Sequence, residues 1–135
     1  MIATPANEYV VDTVGLIFRL MRRHALGQTA KTIFDGVEAG RMTVYVSGLS
    51  FAEVLIAVEK QRITFSLQDL EEYLQRYPNY KQYPIDLAVV QTAAQINDIP
   101  ELHDRLIAAT ARLLNLPLIT NDVKMQASSF VQTVW

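Results

Sequence analysis

The sequence predicts a parallel α/β sheet with helices on both faces. Short β-branched apolar runs alternate with amphipathic stretches of helical period, which is the signature of strands joined by crossover helices. Two of the runs, Tyr9-Val10-Val11 and Leu118-Ile119-Thr120, lead into an acid, Asp12 and Asp122. The chain has 135 residues, half of them hydrophobic and 19% charged, so residues 1–135 are expected to fold as one domain around one buried core.

The elements follow in order. Tyr9-Val10-Val11 reads as a central buried strand. Asp12-Thr13 opens a helix through Leu16, Ile17, Leu20 and Met21, on which Arg19, Arg22 and Arg23 share one side; Gly27 is expected to end it. Thr29 to Glu38 is a second helix, with Ile33, Phe34 and Val37 inward and Gly40 as its stop. Met42 to Val46 is a strand rich in branched and aromatic residues. Ser50-Phe51-Ala52-Glu53 fits a capping box at the start of an apolar helix. Ser66-Leu67-Gln68-Asp69 opens the next helix, which stops before Tyr77-Pro78. Lys81 to Ile85 is an edge-strand candidate because it contains Pro84. Asp86 caps a helix from Leu87 to about Asn97. A helix from Asp104 to Leu114, the strand at 118–120, a short turn of helix from Asp122 and an edge strand within Val131 to Trp135 complete the chain.

Composition narrows the function. The formal net charge is -2, so a polyanionic substrate would need a local basic patch or metal ions. There is no cysteine, hence no disulfide framework and no thiolate metal site. Met1 to Asn7 lacks a basic segment followed by an apolar one, so no signal peptide is expected. No apolar run approaches the roughly 18 residues of a membrane span. The expectation is a cytoplasmic protein with no membrane partner.

The acids carry the chemistry. In open α/β sheets, sites form outside the carboxyl ends of the strands, and Asp12 and Asp122 sit at such ends. Asp104 and Glu53 are expected in first turns of helices that begin at the same edge. Four carboxylates meeting there would make an all-oxygen site for a hard cation, Mg²⁺ or Mn²⁺, which suits phosphodiester hydrolysis. Each acid also has an ordinary role open to it: Asp12 and Asp122 as helix caps, Glu53 as the reciprocal partner of Ser50, Asp104 at a helix dipole. Two like charges ~4 Å apart repel by about 4 kcal/mol at an effective dielectric near 20. Stability alone would therefore not gather four.

These stretches together resemble the PIN-domain nucleases. The resemblance rests on Tyr9-Val10-Val11-Asp12-Thr13, the Ser50-Phe51-Ala52-Glu53 helix, Leu102 to Ala111 around Asp104, and Leu118-Ile119-Thr120-Asn121-Asp122, in the family's order and down to a terminal Val134-Trp135. The chain is most similar to the VapC-type toxins of toxin–antitoxin modules. The resemblance implies a three-layer α/β/α sandwich with a mostly parallel sheet. It implies Mg²⁺- or Mn²⁺-dependent endoribonuclease activity on RNA, inhibition by a cognate antitoxin, and a homodimer. By position, Asp12, Glu53, Asp104 and Asp122 match the family's acidic metal-binding set. Thr120 matches the hydroxyl residue before the last acid, and Thr13 the residue after the first. Val14 departs from the polar residue that many members carry.

Other residues have weaker readings. Arg19, Arg22, Arg23 and Lys31 are candidates for RNA phosphate, with a solvated helix face as the simpler account. His103 lacks a partner nucleophile motif and reads as structural. Arg105 and Arg112 share a helix side and are candidates to steer phosphate or to pair with nearby acids, with ion pairing as the simpler account. Tyr73, Tyr77, Tyr80 and Tyr83 are expected to pack in the core or against a partner. Asp98 reads as a helix-end residue, Glu101 as solvated, and Thr110 as bonding back to its own helix. A phosphatase of haloacid-dehalogenase type is disfavoured because Asp12-Thr13-Val14 lacks that chemistry's second Asp. A P-loop is absent. The remaining alternative is a catalytically silent PIN-like module that binds protein or RNA.

Overall fold

The computed structural model describes residues 6–135; the expectation for the chain start falls largely on residues outside that range. Five strands form one all-parallel sheet: β1 (Glu8–Val11), β2 (Thr43–Ser47), β3 (Tyr80–Tyr83), β4 (Leu118–Ile119) and β5 (Thr133–Val134), in the order β3-β2-β1-β4-β5. Seven helices surround it: α1 (Thr13–Leu20), α2 (Gln28–Glu38), α3 (Gly48–Glu59), α4 (Leu67–Arg76), α5 (Leu87–Gln95), α6 (Leu102–Leu114) and α7 (Val123–Gln126). No helix among the described residues is long and apolar enough to cross a membrane.

Strand alternation divides the core in two. Tyr9, Val11, Val44, Val46 and Ile119 point into one cluster, which α1 to α4 cover. Val10 and Leu118 point into the other, under α5 to α7. The result is the expected α/β/α sandwich, with Tyr9, Val10 and Val11 of β1 buried between its two faces. The small residues Ala108, Ala109 and Ala111 let α6 lie close to the sheet, while Leu102 and Leu113 at its ends stay exposed. Thr110 does bond its own helix at Leu106 O.

Several boundaries differ from the sequence reading. α1 stops at Leu20. Arg22 adopts φ 51°, its N–H bonds Arg19 O, and the Arg23 N–H bonds Phe18 O. This is the ordinary left-handed helix stop with an arginine where glycine is usual, so sequence gave no warning. Gly27 instead caps the start of α2, and Trp135 rests against it so closely that a Cβ there would overlap the Trp135 backbone. The capping box expected at Ser50 and Glu53 is absent. β2 runs straight into α3, Ser47 caps that helix, and Ser50 and Glu53 lie inside it. A full capping box does occur at Ser66 and Asp69. Pro84 lies just outside edge strand β3. Glu101, read as solvated, caps α6 by accepting from the Asp104 N–H. Asp98 lies beyond α5 and accepts from Ser128 Oγ and from the Ser129 N–H.

The three arginines do not form a cationic helix face. Arg19 is only 5% exposed and pairs with Asp35 at 2.8 Å and Glu38 at 2.7 Å; Arg22 reaches Glu38 at 3.2 Å. Tyr73 and Tyr80 also donate to Glu38, at 2.5 and 2.6 Å, so one carboxylate ties α1, α2, α4 and β3 together. Tyr77 packs on Tyr73, whereas Tyr83 faces Tyr45 on the other side of the sheet. Burial pushes the Glu38 carboxyl up, but Arg19, Tyr73 and Tyr80 outweigh it and hold the group down at about 2.

Because that value lies below the ordinary 4.5, Glu38 stabilises the fold fully above pH 4.5, and the contribution is lost as pH falls towards 2. Glu38→Gln is expected to cost about 2 kcal/mol at neutral pH and to flatten the acid limb of stability, as urea unfolding across that range would show.

Candidate active site

The strand order reverses direction between β1 and β4, which makes the carboxyl ends of these two strands the switch point where ligands bind in open α/β sheets. Asp12 ends β1 and caps α1: its Oδ1 accepts the Gly15 N–H at 2.7 Å. A side chain at Gly15 would meet Val11 at 2.9 Å and Asp12 Oδ1 at 3.0 Å, so glycine lets α1 start tight against β1. Across the switch point, Thr120 Oγ1 donates to Asp12 Oδ2 at 2.5 Å and accepts the Asp122 N–H at 3.0 Å. A single buried hydroxyl therefore positions both acids. Asp122 in turn caps α7 through the Met125 N–H.

Glu53 enters from α3. Thr13 Oγ1 donates to Glu53 Oε1 at 2.8 Å and lies 3.0 Å from Ser50 Oγ, which is fully buried. Ser50, read from sequence as a cap, is thus a support for the site. Its serine-x-x-glutamate spacing did mark the right pair, but for contact with Thr13 and not for capping. Asp104 stands in the first turn of α6 and is partly exposed, as are Glu53 and Asp122; Asp12 is 3% exposed.

The acids feel one another. Burial raises the Asp12 carboxyl to about 6 against the opposing hydrogen bonds from Thr120 and Gly15, and the charges of Asp104 and Asp122 add to the rise. Asp104 is also raised, first by burial, then by Asp122, Glu101 and Glu53. The structure therefore brings Asp12, Asp104 and Asp122 into one field and places Glu53 within reach of Asp104. Among the described residues, no three acid or imidazole side chains are gathered at metal-ligand distance. Of the other candidates, His103 Nδ1 lies 3.8 Å from Glu101 and both are exposed. Arg112 bonds the Phe130 carbonyl and lies over its ring, and neither it nor Arg105 makes the expected ion pair among the described residues. Val14 is exposed.

The family model described as PIN domain matches residues 9–130, a span that contains all four acids. The chain belongs to the PIN-domain family. Solved structures share the fold. A chain of VapBC2 from Rickettsia felis, bound to a DNA fragment from its promoter, superposes with a TM-score of 0.72 at 16% identity, over 95% of this chain and 98% of that one. A toxin-antitoxin complex from Klebsiella pneumoniae gives 0.65 at 21% identity, over 94% and 96%. FitAcB from Neisseria gonorrhoeae gives 0.68 at 22% identity, over 94% and 96%. A search of curated protein sequences found no match.

Asp12 sits above its ordinary value of 3.8, so its contribution to the stability of this PIN domain is full below pH 3.8 and lost as pH rises through about 6. In a metal-free buffer, Asp12→Asn is expected to be more stable than the parent at neutral pH by about 2 kcal/mol and equal to it near pH ~4. Thermal unfolding of both proteins at the two pH values checks this.

Proposed function

We propose that this PIN domain is a Mg²⁺- or Mn²⁺-dependent endoribonuclease and the toxin of a toxin–antitoxin pair, working in the cytoplasm. The observation that carries the reading is Asp12: a buried carboxylate at the switch point, raised by its surroundings and by two more acids, with no cation paired to it among the described residues. Such an arrangement costs stability unless a cation joins it.

The donor set fits a hard divalent ion in kind, being carboxylate oxygen throughout. Asp12, Glu53, Asp104 and Asp122 would hold one or two ions. Asp12 is buried and held by two hydrogen bonds, while the other three acids are partly exposed. A bound ion would offset charge on the phosphodiester and acidify the water beside it. The chain's own residues prepare the place. Thr120 and the Gly15 amide each take one lone pair of an Asp12 oxygen, which fixes the carboxylate and leaves a second lone pair on each oxygen. Thr13 engages Glu53 by Oε1, leaving Oε2 for ligation. In this reading water is the nucleophile; the chain has no cysteine, and Ser50 is fully buried.

The toxin role and the antitoxin partner are supported by the structural likeness to the Klebsiella pneumoniae toxin-antitoxin complex. The reading includes a homodimer, for which exposed Leu55 and Ile56 on α3 and Leu87 and Val90 on α5 offer apolar surface.

The test is incubation with single-stranded RNA in Mg²⁺, Mn²⁺ or EDTA, beside Asp12→Ala and Asp104→Ala. Cleavage with either metal, and a loss of about a hundredfold or more in EDTA and in both variants, is expected. Millimolar Mn²⁺ is expected to raise the melting temperature of the parent and not of Asp12→Asn. A folded parent that cleaves nothing under either metal would point instead to a silent binding module.

A further inference from the structure

Arg105 is the arginine of the site region that the fold leaves without a partner. Its Nε is buried and has no hydrogen-bond partner among the described residues, and no carboxylate there stands within ion-pair distance. Arg19 and Arg22 share Glu38, and Arg112 holds the Phe130 carbonyl. A guanidinium is a rigid fork of five donors, and burying one of them unpaired gives up water with no return.

Its place is defined by the helix. Side chains on α6 lean towards its N-terminus, so Arg105 lies over the first turn, beside Asp104. Its charge acts on Glu101, the cap of that turn, whose carboxyl is lowered first by the Asp104 N–H. Arg105 and Arg112 are seven apart and share a side, and Arg112 reaches Phe130 in the segment after α7. Arg105 therefore lies on the side of α6 that faces the segment opened by Asp122, at the end where the acids meet.

We propose that the Arg105 guanidinium binds a phosphate group of the RNA strand beside the acid cluster. The proposal rests on the nuclease reading above. Arg105 is half-buried, and its Nη pair, unlike Nε, is not shut off from solvent, so this pair can give phosphate two parallel N–H bonds. The carboxylates repel a polyanion, and Arg105 adds a protein cation that makes no ion pair among the described residues.

The test uses the full chain and a short single-stranded oligoribonucleotide of mixed sequence. Arg105→Met is expected to raise KM about tenfold with a much smaller change in kcat, and Arg105→Lys to raise it less. In the Asp12→Asn background, fluorescence anisotropy should show the dependence of log affinity on log salt made shallower by about 0.7 when Arg105 is replaced by Met, as for one lost phosphate contact. The melting temperature and its rise with Mn²⁺ should stay as in the parent. An unchanged KM and salt slope in an actively cleaving protein would overturn this proposal alone. So would a loss of melting temperature and of the Mn²⁺ response in both variants, which would make Arg105 structural. Failure of the parent to cleave RNA would overturn the nuclease reading, and this proposal with it.

Discussion

The Asp12 carboxylate is the constraint around which this sheet is arranged. It ends the strand that is covered on both faces, at the switch point between β1 and β4. A charge there cannot be solvated by water alone, so the backbone and the neighbouring strand supply donors: the Gly15 amide on one oxygen and Thr120 on the other. Gly15 is glycine because the tight start of α1 leaves no space for a Cβ. Thr120 is a hydroxyl because it must donate to Asp12 and accept from the Asp122 amide at once. Local geometry on both sides of the switch point thus serves one carboxylate.

Glu38 shows what the same protein does with a buried acid whose task is cohesion. Arg19, Tyr73 and Tyr80 surround it, and its carboxyl is held at about 2. Asp12 is more deeply buried, receives two neutral donors and no cation, has other acids nearby, and is pushed to about 6. Burial is common to both; the partners differ. The contrast separates an acid that joins four elements from one left short of positive charge, which is the pattern expected where a ligand completes the site.

Much of this was legible in the sequence. The apolar runs at Tyr9 to Val11 and Leu118 to Ile119 gave β1 and β4, and the acids after them fell at one edge, because parallel connectivity leaves little choice. The errors have separate causes. α1 ends at a left-handed Arg22, where pattern reading waited for Gly27. The Ser50 and Glu53 spacing suggested a cap because nothing local reveals that β2 passes into α3 without a loop. The ion pairs of Arg19 were hidden for a different reason. Its partners lie 16 and 19 residues away, on a helix whose docking only the tertiary fold decides.

The bond from Thr120 to Asp12 spans 108 residues of chain. β1 has no neighbour on that side until β4 has been made, because the fold threads its first strand between the second and the fourth. During synthesis, every shorter nascent chain therefore exposes Asp12 without Thr120 and Asp122. The surroundings of Asp12 are complete only after the stretch from Thr120 to Asp122 has been made and docked beside β1.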